Sequence, residues 1–231
     1  MFRHRSLQKE LLDRDDIPPS DLYQNLRELD FINHWLGGYD ISFAALKRVL
    51  KKGRRYTLVD IGCGGGDTLK RIAHWKQSAG FTLDLYGVDL KSDCITYAEE
   101  NLQNSGIRLI CDDYRNTYRH LRQVDIIHAC LFCHHLTNDD LQELVRFALS
   151  NQAILVINDL ERNPLAHYSI KLLTRLFSKS YLVKNDAPLS VLRGFKKKEW
   201  LEILKQSGAT RFSVRNKWAF RHEVIVYGNT D

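Results

Sequence analysis

No stretch of this chain approaches the roughly 18 consecutive apolar residues that a membrane-spanning helix requires. Proline is scarce as well: four residues, with thirteen glycines, are too few for a long flexible linker. There is no internal repeat and no low-complexity tract. The opening residues, MFRHRSLQKELLDRDD, lack the apolar core of a secretory signal. Arg3 and Arg5 faintly resemble a mitochondrial presequence, but such leaders are poor in acids, and Glu10, Asp13, Asp15 and Asp16 follow at once. A cytoplasmic protein without membrane insertion is expected. The five cysteines are odd in number, so in a reducing compartment a disulfide framework is not expected.

What is present is an ordinary globular composition. Of 231 residues, 44% are hydrophobic and 27% charged, enough apolar surface for a sizeable core. The net charge of +6 gathers in Lys51-Lys52-Gly53-Arg54-Arg55 and Lys196-Lys197-Lys198. Both read as solvated surface. Neither carries the interleaved aromatics or motif of a nucleic-acid patch, so a nucleic-acid partner is not expected. Oligomeric state cannot be read from the sequence.

The string Cys130-Leu131-Phe132-Cys133-His134-His135 spells C-x-x-C-H, the attachment signature of a c-type haem, and offers the ligand types of a zinc site. It also ends a predicted buried strand, along which successive side chains point to opposite faces. On that reading the cysteines are small apolar fillers and no metal is expected.

Along the chain, Leu22, Leu26, Leu29 and Ile32 recur at helical spacing, Gly37-Gly38 interrupts, and a second helix runs to about Leu50. From Tyr56 strands alternate with helices. Strands are predicted at 56–61, 83–89, 108–111, 124–131 and 153–158, with helices ending near Lys76, over 92–103 and over 138–149. An inserted helix follows at 164–177, a pocket-facing loop at 185–195, a helix at 197–206, and strands at 210–216 and 223–227. The expected fold is α/β, a Rossmann-like, seven-stranded, mostly parallel sheet with helices on both faces, a C-terminal antiparallel hairpin and a helical N-terminal lid. The lid spans 1–52, packed on a core at 53–231 with a helical insertion at about 163–195.

Leu58-Val59-Asp60-Ile61-Gly62-Cys63-Gly64-Gly65-Gly66-Asp67 runs from strand through glycine turn into helix, the arrangement that cradles a nucleoside cofactor. The dinucleotide fingerprint requires glycine or alanine at 67, where Asp67 stands, which sets a nicotinamide oxidoreductase back. DIGCGGG instead resembles the first motif of the class I S-adenosylmethionine-dependent methyltransferases. Gly87-Val88-Asp89-Leu90, Cys111-Asp112-Asp113 and Val124-Asp125-Ile126-Ile127 with His134-His135-Leu136 resemble the motifs that follow. The resemblance implies S-adenosylmethionine as cofactor, held by Asp60, Gly62, Gly64, Gly66, Asp89 (ribose), Leu90, Asp112 or Asp113 (adenine) and Ala129. It also implies that the N-terminal helices cap the pocket, with Asn33 and Trp35 on its wall.

Methyl transfer from a sulfonium to oxygen needs in-line positioning and removal of a proton, and candidate groups should project from the carboxyl ends of the fourth and fifth strands. His135 is the favoured base, since imidazole titrates near neutrality, with Asp159 and His167 as alternatives. His134, Arg162, Tyr168 and Arg193 complete the expected substrate pocket. There is no N-P-P-Y sequence after the fourth strand and no proline-flanked cysteine, which disfavours methylation of adenine or glutamine amines and of cytosine carbon. A small-molecule acceptor is therefore preferred, a hydroxyl of an aromatic, polyketide-like or quinone-like metabolite. An RNA or protein methyltransferase and a non-catalytic cofactor-binding module are the alternatives.

Overall fold

A computed structural model describes residues 2–228. Two helices come first, α1 (Pro19–Trp35) and α2 (Gly38–Val49). Pro19 opens α1 at a position where its missing N–H leaves no bond unmade. Strands and helices then alternate through β1 (Arg55–Ile61), α3 (Asp67–Ala79), β2 (Thr82–Asp89), α4 (Ser92–Asn101), β3 (Arg108–Cys111), the single turn α5 (Thr117–His120), β4 (Ile126–Cys130), α6 (Asn138–Ser150) and β5 (Ile154–Leu160). The chain finishes with α7 (Pro164–Phe177), α8 (Tyr181–Arg193), α9 (Lys197–Gln206), β6 (Phe212–Lys217) and β7 (Arg221–Val226).

The seven strands form one sheet in the order β3-β2-β1-β4-β5-β7-β6. β1 to β5 are parallel, and β7 enters antiparallel between β5 and β6. β1 lies between β2 and β4, so the strand order reverses there, and a crevice opens beyond its carboxyl end. Val59, Ile61, Ile127 and Leu155 pack on one face with Leu144 and Trp200; Leu58, Ile126, Val156 and Ile225 pack on the other with Leu46 and Ile72. Helix boundaries follow capping chemistry. The Thr137 hydroxyl accepts the Asp140 N–H, and the Asp140 carboxylate accepts the Thr137 N–H.

Two expectations change. The segment at 185–195 is not a loop: most of it belongs to α8, despite Pro188 inside the helix. Asn185-Asp186-Ala187-Pro188 reads locally as turn chemistry, but Leu182, Val183, Leu189 and Val191 are buried, and that packing prevails over propensity. The N-terminal helices also divide their work. α1 overlies the crevice, whereas α2 packs on β5 and β7, clamped by an ion pair from Arg48 to the buried Glu223.

Candidate active site

A cleft of about 700 Å³ opens beyond the carboxyl ends of β1, β2 and β4. Gly62, Gly64 and Gly65 form one wall, Asp89 and Leu90 another, Asp112 and Asp113 a third, and Leu22, Leu26, Leu29 and Asn33 of α1 cover it. The glycine turn is obligatory at two points. Gly62 has φ +62°, and a Cβ there would lie 2.1 Å from the Phe132 ring. Gly64 has φ +52°, a left-handed conformation costly to other residues. Its N–H donates to Asp89 Oδ2 at 2.8 Å, while the Lys91 N–H donates to Oδ1 at 2.9 Å. The Asp89 carboxylate is thus fixed at the cleft wall with one lone pair on each oxygen still unused. Burial raises its pKa, against the two backbone hydrogen bonds that lower it.

Asp112 is held by its neighbours. Oδ1 accepts from Asn116 and from the Asp113 N–H, and Oδ2 lies 2.7 Å from His120 Nε2. The hydrogen bonds from Asn116 and His120 hold its pKa at about 2. The Asp113 carboxylate caps the following turn through the Arg115 N–H. These residues suit a cofactor with a ribose and an adenine. A carboxylate with free acceptor positions faces the cleft, glycines permit close backbone approach, and α3 presents the positive end of its dipole.

Other expected cofactor residues lie elsewhere. Asp60 does not line the cleft. It is buried beneath the loop, where Oδ1 meets His128 Nδ1 at 2.7 Å. From there a buried polar chain continues through His128 Nε2 to Ser42 (2.9 Å), through Asn158 to Ser42 (3.1 Å), and through Arg221 to Asn158 and Asn33. Gly66 packs against Leu102, and Ala129 is fully buried in β4. The floor of the cleft is formed one step later, by Cys130, Leu131 and Phe132. Leu131 takes φ +53°, a local strain at the strand end.

The catalytic candidates separate sharply. His135 lines the cleft, with Nδ1 3.0 Å from Asp13 Oδ1. Burial alone would raise the Asp13 pKa, but the hydrogen bond and charge of His135 prevail and hold it at about 2. His134 is buried and turned from the cleft, its Nδ1 2.7 Å from Asp159 Oδ1 and its N–H donating to Asp159 Oδ2. Asp159, fully buried, is spent on these contacts and on the Leu160 N–H, so it does not reach an acceptor. Desolvation pushes its pKa up, and His134 together with the hydrogen bonds brings it below the usual value. His167 is buried in the insertion, with Nδ1 on the Pro188 carbonyl.

The expected pocket residues mostly leave the cleft as well. Arg162 is fully buried and forms a two-pronged pair with Glu199, at 2.6 and 3.1 Å. Arg193 donates to the carbonyls of His134, His135 and Gln8. Trp35 is 72% exposed and Tyr168 58% exposed, both facing away from the cleft. Asn33 stays at the wall. Sequence reasoning missed Asp13, Asp30, Tyr39 and Tyr114, which line it, because their contribution depends on distant partners; Tyr39 donates to Asp30 Oδ1 at 2.6 Å. Burial pushes the Cys130 thiol up to about 11 and Cys133 well above the ordinary thiol value, which disfavours the thiolate at both.

Residues 58–150 match the family model described as a methyltransferase domain. No curated protein matches the chain. Among solved structures, the plantazolicin methyltransferase BpumL in complex with SAH is similar at a TM-score of 0.64 and 20% identity, covering 94% of this chain and 91% of that one. A SAM dependent methyltransferase from Aquifex aeolicus is similar at 0.59 and 20%, covering 91% and 98%. The citrinin polyketide synthase CMeT domain is similar at 0.60 and 13%, covering 83% of this chain and 52% of that one. With the glycine turn, the acids that end β2 and β3, and the domain match taken together, residues 58–150 are a methyltransferase domain, set in the fold of the class I S-adenosylmethionine-dependent methyltransferases.

Proposed function

We propose that this methyltransferase acts on a small molecule, at a hydroxyl of an aromatic, polyketide-like or quinone-like metabolite of secondary metabolism. The observation that carries the reading is the cover of the cleft. Leu22, Leu26 and Leu29 from α1 and Leu12, Ile17 and Leu136 around it make an apolar roof over the glycine turn. Such a roof favours an apolar acceptor that enters largely desolvated. The similar structures include one of a plantazolicin methyltransferase and one of a polyketide synthase domain, which supports the same class of acceptor.

The cofactor supplies a methyl group already activated on a positively charged sulfur. The residues of this chain do the rest. Asp89 accepts the ribose hydroxyls, the backbone of Gly62 and Gly64 leaves room for the amino-acid end, and the Asp112-Asp113 corner borders the adenine. Among the catalytic candidates His135 alone lines the cleft. With Nδ1–H donated to Asp13, its Nε2 carries the lone pair that draws on the acceptor proton. The five cysteines are unpaired, which suits a reducing compartment, and cytoplasmic placement belongs to this proposal. No helix among the described residues is long and apolar enough to cross a membrane.

Turnover of a panel of phenolic acceptors at low and high salt tests the reading. Turnover of at least one phenol with little salt dependence is expected. No turnover of any phenol, with RNA binding that weakens steeply as salt rises, would contradict it and favour a nucleic-acid substrate.

A further inference from the structure

Beside the cleft, His134 and His135 each turn Nδ1 to a different carboxylate, Asp159 at 2.7 Å and Asp13 at 3.0 Å. An ionised carboxylate only accepts, so in a neutral imidazole at either position Nδ1 bears the proton and Nε2 keeps its lone pair. Both Nε2 atoms point at one group. Glu10 Oε1 lies 3.6 Å from His134 Nε2, and Glu10 Oε2 lies 3.8 Å from His135 Nε2. Those gaps exceed the roughly 3.2 Å limit of a hydrogen bond. They run to the two different oxygens of the one carboxylate, at or a little above the separation of two ligand atoms on one tetrahedral ion, about 3.3–3.6 Å for metal–ligand bonds of about 2.0–2.2 Å. All three ligand atoms lie within 4.8 Å of one another.

We propose that Glu10, His134 and His135 bind one divalent transition-metal ion, with Asp159 and Asp13 as the carboxylates that orient the two imidazoles. Two nitrogens and a carboxylate oxygen suit zinc, cobalt or iron(II) rather than magnesium or calcium, which prefer all-oxygen ligands. Local charge points the same way. Glu10, Asp13, Asp159 and Asp186 face Arg5 and Arg193, an excess of two negative charges when all four carboxylates are ionised and both imidazoles are neutral, and burial pushes the Glu10 pKa up. Arg193 approaches Glu10 Oε1 no nearer than 3.8 Å and directs its donors to backbone carbonyls. Glu10 accepts a hydrogen bond from the Ser190 hydroxyl, at 2.8 Å. The site is assembled rather than local: Ser6 N–H to Leu192 and the Leu11 and Leu12 N–H groups to Asp186 dock the N-terminal segment that brings Glu10. The cysteines of the C-x-x-C-H string take no part in this cluster.

The inference rests on the proposed function only for position. With an ion on Nε2, His135 would be a ligand rather than a free base, and of the three ligands it alone lines the cleft. The test therefore needs no acceptor. Metal-free full-length protein is titrated with Zn²⁺ and with Co²⁺, with Mg²⁺ for comparison. The readouts are metal content per chain after dialysis, the visible Co²⁺ spectrum and the rise in melting temperature. One equivalent of Zn²⁺, a Co²⁺ spectrum without sulfur charge-transfer bands, a melting temperature raised by Zn²⁺ but not Mg²⁺, and loss of all three in Glu10→Gln and His135→Ala are expected. Asp13→Asn should weaken affinity roughly 10–100-fold, as loss of an orienting carboxylate does. Retention of no zinc by the wild type would overturn the site and leave His135 as a free base. Zinc kept by both variants, or a thiolate band, would overturn it in favour of the cysteines.

Discussion

Asp13 holds His135 across 122 positions of sequence, Oδ1 to Nδ1 at 3.0 Å. The contact orients the imidazole at the cleft edge, with Nδ1 turned to an ionised partner. His135→Ala should lower turnover about 10²–10⁴-fold, the range for a lost acid–base or activating group, while affinity for S-adenosylhomocysteine changes little. Turnover equal to wild type would remove His135 from the chemistry.

The same pair has a pH signature. The Asp13 pKa is about 2 in the folded protein, below its usual value of roughly 3.9. The carboxylate is therefore favoured by folding. Its contribution is present above the unfolded value and is lost as pH falls through the interval toward about 2. Chemical unfolding of wild type and Asp13→Asn should differ most at neutral pH, and the difference should shrink below about pH 4. A difference that grows with acid would show that the pair is not the source.

Asp60 and Asp89 end adjacent strands but face different surroundings. Asp89→Asn should weaken S-adenosylhomocysteine binding roughly 10–100-fold, the effect of losing charge-assisted hydrogen bonds of about 1.5–3 kcal/mol. Asp60→Asn should instead destabilise the fold by about 1–3 kcal/mol, because the buried chain through His128 and Ser42 exchanges its carboxylate terminus for a weaker amide acceptor and an added N–H donor without a partner. Calorimetric titration and thermal unfolding of both variants separate the roles. Loss of cofactor affinity in Asp60→Asn at unchanged stability would assign Asp60 to the ligand.

Gly62→Ala should abolish cofactor binding. The added methyl meets Phe132 at 2.1 Å, and the positive φ adds about 1–2 kcal/mol of backbone cost. Gly64→Ala meets only Leu26, at 3.6 Å, so its fold should survive with the backbone cost alone. Equal affinity and melting temperature in Gly62→Ala and wild type would contradict the described turn.

Arg162 separates a structural from a substrate role. Arg162 is fully buried while Glu199 is only partly so, and Arg162→Ala should unfold at a markedly lower temperature because it opens a cavity and removes the donor to Glu199 and to the Gly194 carbonyl. A raised KM at unchanged melting temperature would return Arg162 to the acceptor pocket.

The sheet was legible because buried strands and glycine turns are written locally. Residues 58–61 and 83–89 are apolar runs that end in a glycine or an acid, and the strand-end positions of Asp89 and Asp112 follow from them. The acceptor side was not legible, because its geometry depends on contacts between residues far apart in the chain. Nothing around Glu10 or Asp13 announces that they meet the end of β4, since Asp186 and Leu192 of α8 dock that segment. His134 and His135 look equivalent in sequence, yet one 3₁₀ turn at Cys133–His135 buries the first against Asp159 and leaves the second at the cleft. Arg162, read as a pocket cation, is drawn inward by Glu199 thirty-seven positions away.

The most direct measurement follows the destination of the methyl group. Purified protein is incubated with S-adenosylmethionine labelled in its methyl group and an extract of its source cells, and the products are separated into organic-soluble, protein and RNA fractions. The account predicts label in the organic-soluble fraction, lost in His135→Ala. Label confined to protein or RNA would contradict it.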